Sequence, residues 1–314
     1  MANRTGALEA PAAATTRKSA SLWGDAFRRL LKNRLAVVGG VIVLFLVFIA
    51  IAGPFLTPYS YRAQDLDAVR EARGPVNPFS GPHLLGTDNL GRDLLSRLMD
   101  GARISMTVAL VVQLVVLLIG VPVGAAAAWF GGRMDTLLMR ITDIVYAFPD
   151  LLFIILLSVA LRETVFGKAM DGLLVVFVAI GLTAWVGMAR LVRGQLLSLK
   201  ETEFVEAAKA VGVNDFKIVT RHLLPNASGP MIVAVTLGIP GAILAEATLA
   251  FIGIGANEPR ASWGKLVADG QSYVRSEPFL VIIPALVVAI ALISFTFLGD
   301  GLRDALDPKL KGKQ

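Results

Sequence analysis

The amino-acid sequence predicts an all-α membrane protein with six transmembrane helices. Hydrophobic residues make up 55% of its 314 residues, which excludes an ordinary water-soluble domain. The mean hydropathy of +0.67 points the same way. Apolar runs near the length that a helix needs to cross a bilayer, about 20 residues, follow one another along the chain. The chain has no Cys and two His, so disulfides are excluded and a His/Cys metal site is not expected.

The segment before the first span divides into a tail and a helix. Residues 1–22 are rich in Ala, Thr and Ser and show no periodicity, so we expect disorder there. Residues 23–34 place Phe27 and Leu31 among basic side chains, which predicts a basic amphipathic helix leading to the membrane. The apolar run after it is long enough to cross a bilayer, so we interpret it as an uncleaved anchor rather than a signal peptide.

The predicted organisation is a first span with an external loop, residues 35–99, followed by a core transmembrane domain, residues 100–310. The spans are predicted at residues 35–56, 104–130, 136–161, 173–197, 231–254 and 279–298. Pro149 and Asp150 interrupt the third span, so we expect a kink.

Small and polar residues inside the spans predict further features of the structure. Gly181 and Gly187 are expected to break the fourth span. Gly120 and Gly124 form a small-xxx-small face in the second span, which favours close helix packing. Asp143, near the inner end of the third span, is expected to reach the membrane surface or to pair with Arg140.

The distribution of Lys and Arg predicts the orientation. With the N-terminus placed inside, 19 of the 30 basic residues fall in inner segments and 10 in outer ones. This bias favours both termini in the cytoplasm. Basic residues that set orientation also account for the net charge of +6, so nucleic acid is not an expected partner.

The segment between the fourth and fifth spans, residues 201–226, is too well patterned for a slack connection. Phe204, Ala207, Ala208 and Val211 recur at helical spacing and would form one helix face. An amphipathic loop lying on the membrane surface is the simpler explanation of that periodicity.

Start and stop signals divide this segment into two short helices. Thr202 is suited to cap the first, and Gly212 to end it in the left-handed conformation. Asn214 is suited to cap the second, and Pro225 marks its expected end.

The same residues resemble a known motif. Glu206-Ala207-Ala208, then Gly212, then His222-Leu223-Leu224-Pro225 is similar to the EAA loop of ABC-importer permeases. The resemblance implies that this loop docks into a cleft on a cytoplasmic ATPase. The expected coupling residues are Glu206, Ala207, Ala208, Gly212, Leu224 and Pro225.

Two further strings narrow the resemblance. Residues 85–93, LGTDNLGRD, and the tail at residues 299–308 are similar to the dipeptide/oligopeptide/nickel subfamily, and in particular to its C-type permease subunit. The resemblance covers about residues 23–310 and implies the type I ABC-importer permease fold in the bacterial cytoplasmic membrane. The implied partners are a second homologous permease, two ABC ATPase subunits and an external binding protein. No Gly-Lys pair is followed by Ser or Thr, so ATP and Mg²⁺ are expected on the ATPases and no cofactor on this chain.

The two long outer loops, residues 57–99 and 255–277, are expected to receive the binding protein, because both exceed the length of simple connectors. The candidate external-loop contacts and anchors are Asp88, Arg92, Asp93, Trp263 and Asp269.

Glu246 is an ionisable residue in the outer half of the fifth span, where a charge is costly. One interpretation is an acid that lines or gates the passage. The other is a packing group that bonds a neighbouring helix or the outer loop. The family resemblance places a glutamate in the same E-x-x-L-x-F-I-G-I-G context, residues 246–255.

No nucleophile and base, metal cluster or phosphate loop is recognisable, so we predict a non-catalytic subunit. The predicted function is movement of di- or oligopeptides by alternating access. The same transporter type also carries nickel complexes, haem, glutathione or oligosaccharides, and each of these is an alternative substrate. A stand-alone secondary transporter or channel is the alternative of another class, although no inverted repeat is evident.

Overall fold

The computed structural model describes residues 22–161 and 163–307, and that part of the chain is almost entirely helical. The predicted tail, residues 1–22, lies outside the described residues except for Leu22, which begins the first helix. The helices are α1 (Leu22–Lys32), α2 (Arg34–Leu56), α3 (Leu66–Ala72), α4 (Leu94–Phe130), α5 (Gly132–Ala147), α6 (Asp150–Leu161), α7 (Val165–Lys168), α8 (Leu173–Lys200), α9 (Glu203–Ala210), α10 (Asp215–Lys217), α11 (Leu224–Phe251), α12 (Trp263–Gly270) and α13 (Phe279–Leu306). Two isolated β-bridges, Gln64 with Arg92 and Thr87 with Asp93, lie in the loop before α4.

Five helical stretches of the described residues are long and apolar enough to cross a membrane, and the bent pair α5–α6 brings the number to six if it counts as one span. The all-α polytopic architecture predicted from the sequence is therefore confirmed. Helix α4 begins ten residues before the predicted span because Asp93 caps it, its side chain accepting from the Ser96 amide. Polar residues in those first turns hid them from a search for apolar runs.

The third predicted span is broken rather than gently kinked. Helices α5 and α6 meet at 84° across Phe148 and Pro149. A proline lacks an amide donor and restricts the residue before it, so the chain leaves the helix at Phe148.

The expected break of the fourth span at Gly181 and Gly187 is wrong, because α8 is continuous from Leu173 to Lys200. Gly181 instead accommodates the side chain of Val115 from α4, whereas a Cβ at Gly187 would meet no atom of another helix within 4 Å. Glycine in a membrane helix thus serves close packing at one position and is merely tolerated at the other.

Helices α4 and α8 form the main seam of the core. A Cβ at Gly124 would lie 2.3 Å from the Ala189 carbonyl oxygen, and one at Gly120 would lie 2.7 Å from Met188 Cβ. The predicted small-residue face of the second span is therefore confirmed, and its partner is α8.

Helices α2 and α13 form a second close pair. A Cβ at Gly39 would lie 2.5 Å from the Ser294 carbonyl oxygen, and one at Gly301 would lie 2.1 Å from Ala36 Cβ. The tail that resembles the subfamily, from Gly299 to Leu306, thus forms about the last two turns of a membrane helix.

The polar segments collect at two ends of the helix bundle. The end that carries residues 57–93, 169–172 and 252–278 is called the loop end. The opposite end, which carries Gly131, α9, α10 and the last turn of α13, is called the α9 end. The Asn257 amide bonds to the Asp171 carbonyl at the loop end, and the Lys200 ammonium bonds to the Trp129 carbonyl at the α9 end.

Candidate functional site

The two-helix loop predicted between the fourth and fifth spans is present at the α9 end. Thr202 occupies the N-cap position of α9, but its hydroxyl donates to the Leu199 carbonyl rather than capping α9. The predicted capping bond is therefore wrong, although the helix starts where expected. The first-turn amides of α9 lie beside Glu203 and Glu206, whose charges suit a helix N-terminus.

The turn between the two helices follows the sequence prediction closely. Gly212 has φ +75°, in the left-handed region that glycine adopts without strain. The amide of Val213 bonds to the Ala208 carbonyl at 3.0 Å, which closes the end of α9. The Asn214 side chain accepts from the Phe216 amide at 2.9 Å and caps α10 as predicted.

The small-residue face divides between the interior and the surface. Val205 and Ala208 are buried against the protein, whereas Glu206 and Ala207 are exposed. The prediction that Ala207 and Ala208 share one outward face is wrong for Ala208. Val205 and Ala208 are three residues apart, and that spacing was the available signal for the inward face.

An apolar surface remains uncovered on this loop. Phe204 is 40% exposed, Phe216 74% and Val211 79%. Together with exposed Ala207 and Ala210 they form what we call the α9 patch: Phe204, Ala207, Ala210, Val211 and Phe216. Adjacent apolar side chains exposed in this way typically mark a protein interface.

The second short helix does not end at Pro225, as the sequence predicted. The chain continues through a π-helical turn, Ile218–Leu223, directly into α11, whose first turn contains Pro225. The Leu224 amide bonds to the Val219 carbonyl, five residues back. Proline has no amide to donate and its ring clashes with the carbonyl four residues earlier, so the wider turn accommodates it. Leu224 is half-buried and Pro225 is exposed.

Two lysines connect α8 and α9 to the end of α4. Lys200, the last residue of α8, donates to the carbonyls of Ala128 and Trp129 at 3.1 and 2.6 Å. Lys200 and Lys209 each lie 5.4 Å from the centre of the Trp129 ring, and Lys209 belongs to α9. The ends of α4, α8 and α9 therefore meet at Trp129.

Two ion pairs join α5 to α8 at the same end. The Arg193 guanidinium donates two bonds of 2.6 Å to the carboxylate of Asp135. Asp143 pairs with Arg190 at 2.7 Å, so the expected pairing with Arg140 is wrong. Arg190 comes from a helix 47 residues away along the chain, which the local pattern did not indicate.

At the loop end, Asp88 is the centre of a buried ion cluster. One carboxylate oxygen accepts from the amides of Leu90 and Arg92 at 2.8 and 2.9 Å. The other accepts from the guanidinium groups of Arg92 and Arg97. Asp88, Arg92 and Arg97 are all at most 4% exposed.

The cluster joins the two predicted outer loops. Arg92 donates to Glu258 at 2.9 Å, and Arg97 donates to Asp269 at 3.1 Å. Lys265 lies 3.5 Å from both of these acids. Burial raises the pKa of Glu258, but the hydrogen bond and charge of Arg92 outweigh it and hold that pKa below its usual value.

Asp93 and Trp263 fix the helices that flank the cluster. Asp93 accepts from the Ser96 amide at 2.7 Å and bonds to His83 at 3.0 Å. The Trp263 indole donates to the Leu98 carbonyl at 3.0 Å, and its ring lies against Gly101.

The structure thus brings together all five loop residues singled out from the sequence, and four of them, Asp88, Arg92, Asp93 and Trp263, are buried. Sequence reasoning missed Arg97 and Glu258, which belong to the Asp88 cluster, and His83, which bonds to Asp93 beside it. For Arg97 the available signal was a cation only seven residues before the predicted start of the second span.

Glu246 lies in the last turns of α11 with 1% of its surface exposed. The Ser105 hydroxyl of α4 donates to Glu246 Oε2 at 3.3 Å and also accepts from the Trp263 amide. The other carboxylate oxygen has no hydrogen-bond partner among the described residues. These contacts are those of the packing interpretation, and they link the fifth span to α4 and to the loop-end helix α12.

Within the described ranges, no group of three or more His, Asp or Glu side chains is placed to hold a metal ion. Most of the polar side chains described above at the two ends are engaged in ion pairs and helix caps. Their arrangement suits mechanical connection between helices.

Comparison with known proteins gives two family matches. Residues 120–312 match the family described as the binding-protein-dependent transport system inner membrane component. Residues 21–75 match the N-terminal TM domain of oligopeptide transport permease C. The first match covers α8, the α9 patch, α11 and α13, and the second covers α1 and α2.

Curated relatives are similar over nearly the whole chain. The dipeptide transport system permease protein DppC of Bacillus subtilis is 44% identical over 94% of this chain and 88% of its own length. The oligopeptide transport system permease protein OppC of Haemophilus influenzae is 42% identical over 92% of this chain and 89% of its own length. An inward-facing structure of the MetNI methionine ABC transporter is similar with a TM-score of 0.55 and 21% identity. The match covers 67% of this chain and 96% of the matched methionine transporter chain, and the likeness concerns the fold alone.

Proposed function

This chain belongs to the family of binding-protein-dependent transport system inner membrane components, and we propose that it moves di- or oligopeptides across the bacterial cytoplasmic membrane by alternating access. It is a permease subunit of an ABC importer, and ATP hydrolysis takes place on a separate subunit. The peptide assignment rests on one observation. The chain is 44% and 42% identical, over more than nine-tenths of its length, to relatives that are named for dipeptide and oligopeptide transport.

The α9 patch is the surface that receives an ATPase in this proposal. Three of its side chains are large, apolar and at least 40% exposed, and the turn at Gly212 holds them in a fixed arrangement. Lys200, Lys209 and Trp129 connect α9 to the core helices. Closure of two ATPases would pull on this loop and on that of a second, homologous permease, and would tilt the spans.

The loop end faces outward in this proposal, and both termini are cytoplasmic. The excess of Lys and Arg in the segments at the α9 end supports that orientation. The ion cluster around Asp88 holds residues 57–99 and 255–277 as one surface that can receive an external binding protein. Because the side chains that hold this surface together are buried, the exposed residues around them would contact the binding protein.

Glu246 acts near the outer gate in this proposal. It connects α11 through Ser105 to α4 and α12, so opening of the loop end has to move or break those contacts. A carboxylate without a relay of titratable partners is poorly suited to proton coupling.

The docking proposal is tested by bulk added to the α9 patch. Ala207→Trp adds a large side chain to an exposed position, so the fold is retained while the interface is forced apart. Overpacking typically costs 1–3 kcal/mol, so we expect ATPase association to weaken about tenfold or more. Ala72→Trp, at an exposed alanine of α3 at the loop end, is the matched control. Ala208 is unsuitable because it is buried. Normal ATPase co-purification and normal uptake by Ala207→Trp would contradict the proposal.

The substrate is tested in vesicles that contain the full importer and its binding protein. Labelled dipeptide should accumulate only when ATP is supplied to the ATPase side. If nickel complexes, haem, glutathione or oligosaccharides inhibited the uptake and unlabelled peptides did not, the inhibiting compound would be assigned as the substrate instead. Uptake driven by a pH gradient without ATP, and abolished by Glu246→Gln, would indicate a secondary transporter instead.

A further inference from the structure

Helix α1 carries an exposed surface that the transport function does not use. Phe27 is 60% exposed and Leu31 is 56% exposed. Arg28 and Lys32, the residues after each of them, are exposed as well. Apolar and basic side chains therefore lie in two adjacent rows on the free side of this helix.

The helical spacing of about 100° per residue gives α1 three distinct faces. Ala26 is buried and Leu30 half-buried on the face that meets the protein. A Cβ at Gly301 of α13 would lie 3.2 Å from Leu30 Cδ1. Phe27 and Leu31 form the second face, and Arg28 and Lys32 the third.

The position of α1 places these faces at the membrane boundary. Asn33 is extended, with φ −82° and ψ 104°, so α1 does not continue α2 in a straight line. Gly301 faces both Leu30 of α1 and Ala36 of α2, so the last turn of α1 lies level with the first turn of the membrane span α2. The apolar face thus lies where the hydrocarbon of a bilayer begins.

Three basic side chains at this boundary take part in none of the ion pairs that join described residues. They are those of Arg28, Lys32 and Arg34. Arg29, by contrast, donates to the backbone carbonyls of Asp25 and Asp307. Residues 22–34 hold four basic side chains and one acidic one.

We propose that α1 is a binding surface for anionic phospholipids, with Phe27 and Leu31 in the interface and Arg28, Lys32 and Arg34 on the headgroup phosphates. Exposed apolar side chains beside unpaired cations are the combination that an anionic bilayer surface binds. The inference concerns the leaflet next to α1 and does not depend on the transported substrate.

The proposal can be tested with single cysteine-attached probes on the full chain, because the native sequence contains no cysteine. Nitroxide probes are placed at Leu31→Cys and, as a water-exposed reference, at Ala210→Cys. The protein is reconstituted in phosphatidylcholine vesicles with and without phosphatidylglycerol, without ATPase. The probe at position 31 should become more accessible to oxygen and better shielded from a water-soluble nickel complex when phosphatidylglycerol is present, and high salt should reverse this increase.

Charge removal supplies the second measurement. One basic residue near an anionic surface contributes about fivefold to binding, so Arg28→Gln with Lys32→Gln should shift the bound-to-free ratio of α1 by about 25-fold. Arg28→Lys should retain the lipid effect. Arg70→Gln with Lys168→Gln, two exposed cations at the loop end, is the matched control. The proposal is overturned if the probe is equally accessible in both vesicles, if the double variant changes nothing, or if shielding appears only after ATPase is added.

Discussion

At the scale of single residues, Asp88 shows how one side chain holds two distant segments together. It accepts from Arg92 and Arg97, and these two cations reach Glu258 and Asp269 in the loop after α11. Removal of one member of a buried ion group leaves the other charges buried without compensation, and that costs more than the group contributed.

Asp88→Ala is therefore expected to destabilise the protein by about 3–5 kcal/mol, as for other broken buried pairs. Thermal unfolding in detergent measures the loss. The control is Asp67→Ala, because the Asp67 side chain is 90% exposed and forms a surface pair with Arg70. Such a surface pair is worth at most about 1 kcal/mol. A midpoint for Asp88→Ala equal to that of Asp67→Ala would show that the cluster does not stabilise the fold.

At the scale of helices, close approach and a local change of helix type determine how the spans meet. The α4–α8 seam depends on glycines whose missing Cβ admits the backbone of the neighbouring helix. The junction between α10 and α11 depends on a π-helical turn next to Pro225. The seam lies within the core, and the π-helical turn lies between α10 of the two-helix loop and the span α11.

Gly124→Ala tests the seam. Its Cβ would lie 2.3 Å from the Ala189 carbonyl oxygen, so one helix has to move. We expect a loss of about 1–3 kcal/mol, the usual cost of overpacking. Gly187→Ala, in open space, should be neutral or gain up to about 1 kcal/mol in helix propensity. Equal stability of the two variants, measured by unfolding of the reconstituted protein, would refute the role of the seam.

Pro225→Ala tests the π-helical turn. The new amide can bond within the helix and the ring clash disappears, so the junction can close into a regular α-helix. We expect equal or higher thermal stability together with fewer peptides imported per ATP hydrolysed, because α10 would turn relative to α11. Pro230→Ala, in α11 beyond the wide turn, is the control. An unchanged ratio of uptake to hydrolysis in Pro225→Ala would mean that the turn is not needed for coupling.

At the scale of the whole molecule, polar segments gather at two opposite ends of an apolar bundle. At the loop end, ion pairs bridge segments more than 160 residues apart along the chain, such as Arg92 and Glu258. At the α9 end, ion pairs join α5 to α8. Large apolar side chains are exposed at both ends, among them Phe79 at the loop end and Phe216 in the α9 patch, and such side chains typically mark interaction surfaces.

The orientation is tested with single cysteines at Ser80, at the loop end, and Val211, in the α9 patch. Both positions are exposed, and the native chain has no cysteine to interfere. A membrane-impermeant maleimide should label position 80 in intact cells and position 211 only after lysis. The reverse labelling pattern would invert the topology.

Features that depend on neighbours along the chain were predictable from the amino-acid sequence. Length and continuity of apolar runs located the spans, and the four-residue spacing of Gly120 and Gly124 identified a packing face. The turn at Gly212 and the cap at Asn214 were predictable because φ preference and capping bonds act within a few residues.

Contacts between groups far apart along the chain were not predictable, because they depend on the packing of the helices. The tertiary structure turned Ala208 inward, paired Asp143 with Arg190, and gathered Asp88, Arg97 and Asp269 into one cluster. It also carried the helix through Pro225 and kept α8 straight through its glycines. Sequence periodicity specifies that a side chain has a preferred face, but the neighbour on that face comes from another helix. Its identity is therefore decided by how the helices pack, which no local pattern records.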